Sequence, residues 1–208
     1  PLLMTIYSPL TIASFLCWDR DGRDRVIQDL RDSPHQLHVG LKTIRDAVMD
    51  YAAACLDAGA TGLFFATHMS SYDALTGEEY QEFGVTYDLP VLDSVRDRSR
   101  FTMLHICRKS IMFDLLAGYP VDAIHWADRS GPPTLAEARR LTGKTLSGGR
   151  AVQTWLGGTE EEVMAEARGA VSQPGGRGFL LGAGCVIDTR TPAENLHAAR
   201  RATELGVL

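Results

Sequence analysis

A histidine and a cysteine two positions apart, His105 and Cys107, have types and a spacing that suit metal chemistry. A second cysteine, Cys185, follows a short apolar run near the end of the chain. Both regions predict buried strands that end where a loop begins. Residues i and i+2 of a strand point to the same side, so His105 and Cys107 share a face. If Cys185 ends a strand of the same sheet, one imidazole and two thiolates would converge, which suits zinc and leaves a fourth coordination position for substrate.

These cysteines also have a simpler interpretation. Cysteine is among the most buried residue types, so Cys107 or Cys185 could be a small core side chain. No C-x-x-C spacing strengthens a metal site. The other two cysteines, Cys17 and Cys55, are interpreted as core residues on apolar helix faces. The zinc prediction therefore depends on whether two distant strand ends meet.

The segments that must position these residues alternate between strand and helix patterns. Apolar residues at spacings of three and four predict a long helix that Gly59 ends. The run Thr76-Gly77-Glu78-Glu79 resembles a capping box, opening a helix that we expect to break at Pro90. The predicted strands cover residues 2–7, 62–66, 101–107, 122–126, 145–146 and 178–182, and the predicted helices cover 23–31, 34–58, 76–98, 110–117, 134–141, 159–171 and 192–205.

This alternation predicts an α/β fold with parallel strands joined by crossover helices. It fits a TIM barrel or a doubly wound sheet, but neither a glycine-rich dinucleotide loop nor a P-loop follows a strand. Six units of about 35 residues suit the repeat of a (β/α)8 barrel. We therefore expect residues 1–208 to be a single domain holding roughly the C-terminal six units of a TIM barrel. Because the chain opens with Pro1 and enters a strand at once, we expect an N-terminal portion to be missing.

Composition excludes several classes of partner. The 208 residues are 45% hydrophobic, and 21 basic against 26 acidic residues give a net charge of −5. This balance predicts no binding to nucleic acid or to an anionic membrane, and no apolar run is long enough to span a bilayer. Four cysteines in a chain of this length do not indicate a secreted disulfide framework, so we expect reduced thiols in the cytoplasm.

Polar residues at the predicted strand ends are candidates for substrate binding, because the C-terminal ends of parallel strands form the active face of a TIM barrel. His125, beside Trp126, is equally compatible with a core histidine. Arg108 would either supply charge for an anionic substrate or lie in solvent. The run Gly148-Gly149 either forms a tight turn or brings backbone N–H groups near a ligand. The candidates are Tyr7, His68, Arg108, His125 and Arg150.

Three further segments carry a family likeness. The first is Ile6-Tyr7-Ser8-Pro9-Leu10-Thr11, a strand and turn with Pro-x-Thr, and the second is Gly59-Ala60-Thr61-Gly62 before a strand. The most specific is Gly182 to Cys185, followed by the helix start Thr191-Pro192-Ala193-Glu194-Asn195. In these segments the chain resembles the uroporphyrinogen decarboxylase superfamily over nearly all of its length. The resemblance implies a TIM barrel with an N-terminal extension.

Within the superfamily, the chain resembles the zinc-dependent methyltransferases that act with cobalamin, such as methylcobalamin:coenzyme M methyltransferase. These bind zinc through H-x-C and a much later cysteine, which match His105, Cys107 and Cys185. The resemblance implies that these three residues are catalytic and hold zinc. It also implies a small thiol substrate and a methyl-corrinoid, presented by a carrier protein, and it leaves room for a homodimer. The decarboxylases instead carry a histidine where Cys185 falls and a tyrosine near Phe15.

Two positions depart from the methyltransferase pattern. The glycine that commonly follows H-x-C is Arg108, and the family's Gly-Asn-x-Asp region reads Gly148-Gly149-Arg150-Ala151. Both changes alter shape and charge beside the site. The sequence is therefore compatible with three functions, of which we favour zinc-dependent methyl transfer from a corrinoid to a thiol. The alternatives are a metal-free lyase, decarboxylating uroporphyrinogen III to coproporphyrinogen III in porphyrin biosynthesis, and corrinoid or tetrapyrrole binding without turnover.

Overall fold

The computed structural model describes residues 1–16, 22–173 and 177–204. Its strands are β1 (Leu3–Tyr7), β2 (Gly62–Thr67), β3 (Thr102–Ile106), β4 (Ala123–Trp126), β5 (Thr145–Arg150) and β6 (Phe179–Ala183). They form one sheet in the order β1-β2-β3-β4-β5-β6, with parallel pairing within β1–β3 and within β4–β6. The predicted α/β fold is confirmed, as six strand–helix units of TIM-barrel type. The apolar β2 and β3 are buried almost throughout, as parallel strands covered on both faces are.

The chain divides into two compact units, residues 1–122 and 123–208. The prediction that residues 1–208 are a single domain stays a prediction. The helices of the first unit are α1 (Pro9–Leu16), α2 (Gly22–Asp32), α3 (Pro34–Asp57), α4 (Gly77–Tyr80), α5 (Thr86–Val95) and α6 (Phe113–Leu116), and those of the second are α7 (Leu135–Leu141), α8 (Val152–Gly157), α9 (Glu160–Ser172) and α10 (Ala193–Glu204).

The helix predicted over residues 76–98 differs from expectation in one respect. Its capping box is confirmed, since the Thr76 hydroxyl accepts from the Glu79 N–H at 3.1 Å and the Glu79 carboxylate accepts from the Thr76 N–H at 2.8 Å. The expected break at Pro90 is wrong, because Pro90 lies inside α5. The interruption is instead a π-helical turn, Gln81–Val85. Gly84 permits this turn, because a Cβ there would lie 2.6 Å from the Tyr80 ring.

The second unit contains a longer β5 than its sequence suggests. The two glycines at its centre, Gly148 and Gly149, have φ of 147° and 96°, yet both remain paired with β6. The strand therefore continues to Arg150 rather than ending at the glycines. The short α8 that follows was not predicted. It places Trp155 in a core cluster with Val163, Ala183, Ala198 and Ala199.

Candidate metal centre

The first three strands place the candidate site residues of the first unit at one level of the sheet. Ala66 of β2 is the register partner of both Tyr7 of β1 and His105 of β3. Because the strands run parallel, the residues that follow these positions all leave from the same edge. His68 and Cys107 are the residues that come directly after β2 and β3.

His105 is held in a packed environment. Its side chain is buried, with 5% exposure. Its ring stacks on Phe64 of β2, with centroids 5.3 Å apart and planes 21° from parallel. A stacked neighbour restricts rotation of the imidazole, so the ring is positioned before any ligand arrives.

The loop that carries Cys107 is tied to the loop that follows β2. The Cys107 N–H donates to the Thr67 carbonyl at 2.9 Å, which extends the pairing of the two strands by one residue. Further along, the Ser71 hydroxyl donates to the Lys109 carbonyl at 2.7 Å, and the Met112 N–H donates to the Ser70 carbonyl at 3.1 Å. The position of Cys107 is therefore set by residues of both loops.

Arg108 stands at one of the two positions where the sequence departs from the methyltransferase pattern. It has φ of 87°, in the left-handed region that favours glycine, and its side chain is exposed. The common family glycine suits this conformation, whereas a side chain there is strained. The sequence change therefore keeps the turn and adds a positive charge beside Cys107.

In the second unit, Gly184 determines the path of the chain into Cys185. Its N–H donates to the Arg150 carbonyl at 3.0 Å. A Cβ at Gly184 would lie 2.8 Å from the Ala127 Cα, a distance that real contacts do not reach. Glycine is therefore required here for the backbone to pass this close, and Cys185 follows half-buried.

The ligand atoms of His105, Cys107 and Cys185 all lie within 4.8 Å of one another. The two cysteines are not joined by a disulfide. One imidazole nitrogen and two sulfurs form a donor set that suits zinc, and metal–ligand bonds of about 2.0–2.3 Å can join atoms at this separation. The residues present therefore fit a three-ligand zinc site. Cys55 is half-buried on α3, and Cys17 lies outside the described residues.

Tyr7 and His68 lie together with a residue that the sequence did not single out for substrate binding, Phe15 of α1. The three rings meet edge to face, with centroid distances of 5.2 Å, 5.5 Å and 5.4 Å. Tyr7 and Phe15 are 37% and 43% exposed. The cluster is therefore a partly open aromatic surface at the edge of the sheet from which His105 is presented.

His125 and Arg150 are both buried. The His125 Nε2 lies 2.5 Å from the Ala183 carbonyl oxygen, so this imidazole links β4 to the end of β6. The Arg150 guanidinium lies 4.0 Å above the Trp155 ring, and burial lowers its pKa while Glu166 raises it. A role for either residue in substrate binding stays a prediction.

Asp128 supports the glycine pair of β5, which the sequence left as either a turn or a ligand contact. Its Oδ1 accepts from the Gly149 N–H at 2.6 Å, and a Cβ at Gly148 would lie 2.6 Å from the same oxygen. Burial raises the pKa of Asp128, whereas the hydrogen bond from the Gly149 N–H and the positive charge of Arg129 act to lower it. The sequence does place Asp128 two residues after a strand, but nothing in it identifies Gly149 as its partner.

A buried carboxylate in the first unit was missed entirely. Asp88 of α5 accepts hydrogen bonds at its Oδ2 from the Tyr80 and Tyr119 hydroxyls, each at 2.8 Å. Its burial, opposed by these two donors, raises its pKa to about 7. The available signal was an aspartate on the apolar face of a helix, where Leu92 and Val95 are also buried.

Comparison with known proteins places this geometry in context. The family model for uroporphyrinogen decarboxylase (URO-D) matches residues 1–204. Two curated relatives are the methylcobamide:CoM methyltransferases MtbA of Methanosarcina mazei, 26% identical, and of Methanosarcina acetivorans, 27% identical, each over 70% of this chain and 42% of the relative. A solved methyltransferase from Methanosarcina mazei has the same fold, with a TM-score of 0.84 at 24% identity over 99% of this chain and 58% of that one.

The chain thus spans about two fifths of the length of the curated relatives it matches. In the part of the chain that the structure describes, no helix is both long enough and apolar enough to cross a membrane.

Proposed function

The chain belongs to the uroporphyrinogen decarboxylase family, and within it we propose that the chain is part of a zinc-dependent methyltransferase. The proposed reaction moves a methyl group from a corrinoid to the sulfur of a small thiol. The observation that carries the proposal is the donor set of His105, Cys107 and Cys185, whose ligand atoms lie within 4.8 Å. The curated relatives named as methyltransferases support the same reaction class.

In the proposed site, His105, Cys107 and Cys185 would hold zinc and leave a fourth position for the acceptor thiol. When bound, zinc lowers the pKa of a coordinated thiol, so that the sulfur is a thiolate at neutral pH. The acceptor sulfur would bond to the methyl carbon of the corrinoid substrate as the methyl–cobalt bond breaks, and the bonding pair would stay on cobalt. The thiol proton leaves to solvent.

The chain's own residues orient the ligands and receive the substrates. Phe64 restricts the imidazole of His105, and the Thr67 carbonyl holds the Cys107 backbone. Arg108, exposed directly after Cys107, offers a positive charge to an anionic group on the thiol substrate. We also assign substrate contacts to Tyr7, His68, His125 and Arg150.

The corrinoid is proposed to arrive on a carrier protein at the aromatic surface of Tyr7, Phe15 and His68. Aromatic faces and edges suit contact with the flat face of a large ring system. Because four cysteines in a chain of 208 residues do not indicate a secreted disulfide framework, we expect the reaction to take place in the cytoplasm.

The test uses the full-length natural protein, purified without a metal-binding tag. Zinc content is measured by elemental analysis, and methyl transfer is followed with methylcobalamin as donor and coenzyme M as acceptor. Cys107→Ser should lose zinc and methyl transfer together, because a hydroxyl is a poor substitute for a thiolate ligand. Cys55→Ser, the same change at a cysteine of α3, should keep both.

Two results would contradict the proposal. One is a Cys107→Ser protein that retains full turnover. The other is a metal-free wild-type protein that releases carbon dioxide from uroporphyrinogen, which would establish the decarboxylase function instead. Retention of bound methylcobalamin without transfer to any thiol would favour a binding protein.

A further inference from the structure

The Pro-x-Thr motif at the start of α1 places a buried hydroxyl beside the loop that follows β2. The Oγ1 of Thr11 accepts a hydrogen bond from the backbone N–H of His68 at 2.9 Å. It also lies 2.7 Å from the Oγ of Ser8. Thr11 is 0% exposed, so water does not compete for these bonds. The first backbone N–H after β2 is therefore held by a side chain of α1.

Ser8 joins the same turn of α1 to the ends of two strands. It follows Tyr7, the last residue of β1, and its N–H donates to the carbonyl of Ala66 in β2 at 3.0 Å. Its Oγ accepts from the N–H of Thr11, the third residue of α1, at 3.4 Å, as the side chain of an N-cap residue does. Pro9 suits the first helical position, where no N–H is needed. The hydroxyls of Ser8 and Thr11 thus connect β1, α1 and the loop after β2.

The three rings of the aromatic surface lie on the segments that these bonds connect. Tyr7 ends β1, His68 follows β2, and Phe15 lies on α1 four residues after Thr11, on the same face of the helix. Each ring meets the other two edge to face, with interplanar angles of 82°, 85° and 90°. This arrangement depends on how the three backbone segments are placed, and the bond between His68 and Thr11 fixes the loop after β2 relative to α1.

The geometry points to Thr11 as a positioning residue for the aromatic surface. Its hydroxyl holds the backbone of His68 so that the imidazole meets both Tyr7 and Phe15. A surface fixed in this way loses less freedom when a ligand binds, so Thr11 raises the affinity of the surface for the corrinoid. The inference rests on the proposed function, which assigns the corrinoid to this surface.

Zinc binding should not depend on the Thr11 hydroxyl. Within the described residues, the hydrogen bonds of the Thr11 side chain go to Ser8 and His68, and none goes to a proposed zinc ligand. The zinc content of a Thr11 variant therefore reports whether the rest of the proposed site is intact.

Ser14 provides a matched control on the same helix. Its side chain is also buried, and its Oγ donates to the Thr11 carbonyl at 2.7 Å. Among the described residues this hydroxyl has no hydrogen bond outside α1. Ser14→Ala therefore removes a buried hydroxyl of α1 without touching the loop after β2.

The first test measures binding of methylcobalamin to the full-length protein by equilibrium dialysis. Thr11→Val keeps the shape of the side chain and leaves the His68 N–H without its acceptor. We expect it to bind methylcobalamin about tenfold more weakly, the order of effect of an unsatisfied buried donor. Its zinc content and its KM for coenzyme M should equal those of the wild type. Thr11→Ser, which keeps the hydroxyl, and Ser14→Ala should bind methylcobalamin as the wild type does.

The second test observes His68 directly and requires no activity. In protein labelled with carbon-13 at histidine, the Hε1 resonance of His68 is the one that disappears in His68→Gln. The rings of Tyr7 and Phe15 shift this resonance through their ring currents, so it moves when the imidazole moves relative to them. We expect a changed Hε1 shift in Thr11→Val and the wild-type shift in Thr11→Ser and Ser14→Ala. A loss of stability alone does not change the shift of the folded protein.

The outcomes separate this inference from the proposed function. A wild-type protein that binds methylcobalamin, with a Thr11→Val variant of equal affinity and unchanged His68 shift, overturns the role of Thr11 alone. Weakened binding by Thr11→Ser or Ser14→Ala to the same extent as by Thr11→Val has the same consequence. If Thr11→Val does not fold, Thr11→Ala replaces it, because alanine removes the hydroxyl and is the better helix former. A wild-type protein that binds no methylcobalamin overturns the proposed function and this inference together.

Discussion

The backbone N–H of Cys107 donates a hydrogen bond to the carbonyl of Thr67 at 2.9 Å. This bond joins the last residue of β2 to the first residue after β3. The backbone of a proposed ligand is therefore held by the neighbouring strand as well as by contacts of its own loop.

Arg108→Gly should stabilise the protein. Arg108 has φ of 87°, where a side chain is strained by roughly 1 kcal/mol or more, and glycine adopts this φ freely. Thermal unfolding followed by circular dichroism should show a higher Tm. Lys109→Gly is the matched control: Lys109 is not among the described positive-φ residues, so there glycine adds only unfolded-state entropy and should lower the Tm. An Arg108→Gly protein that is destabilised as much as Lys109→Gly would contradict the strain at this position.

Gly184→Ala should weaken zinc binding by roughly tenfold or more, the order of effect seen when the support of a metal ligand is lost. The added Cβ would lie 2.8 Å from the Ala127 Cα, so the backbone that leads into Cys185 must shift. Chelator competition measures the affinity. Gly169→Ala, a glycine of α9 with nothing within 4 Å of its added Cβ, should leave zinc binding unchanged and raise the Tm slightly. Equal zinc affinities for the two variants would contradict a role for close packing at Gly184.

Asp88→Asn should change how stability depends on pH. The folded pKa of about 7 lies above the ordinary value of 3.8, so the folded state holds the proton more tightly than the unfolded chain. The resulting stability is fully present below about pH 4 and is lost as the pH rises through about 7. Asparagine does not titrate, so urea unfolding at pH 5.0 and 8.0 should show wild type losing more free energy of unfolding than the variant, by roughly 1–3 kcal/mol. Parallel slopes for Asp88→Asn and wild type would show that Asp88 ionises in the folded state at its ordinary pKa.

Much of the fold follows from local patterns. The spacing of apolar residues predicts α3 to within one residue at its C-terminal end, and Thr76 and Glu79 form the expected capping box. These features depend on neighbours three or four positions apart, so the sequence contains the whole interaction. The break expected at Pro90 failed because the path of the helix depends on Gly84 accommodating the Tyr80 ring.

The candidate site, too, could be predicted only where it depends on residues close together in the sequence. The sequence alone predicted that His105, which lies in β3, and Cys107, which follows it directly, share a face, because this depends only on the period of a strand. It could not determine that Asp88 accepts hydrogen bonds from Tyr80 and Tyr119, or that the Gly149 N–H donates to Asp128. Such contacts link residues 8 to 31 positions apart on different elements, and the chain carries no periodic signal for them. Only the tertiary structure decided these pairs, because a buried polar group takes its partner from whichever element the fold packs against it.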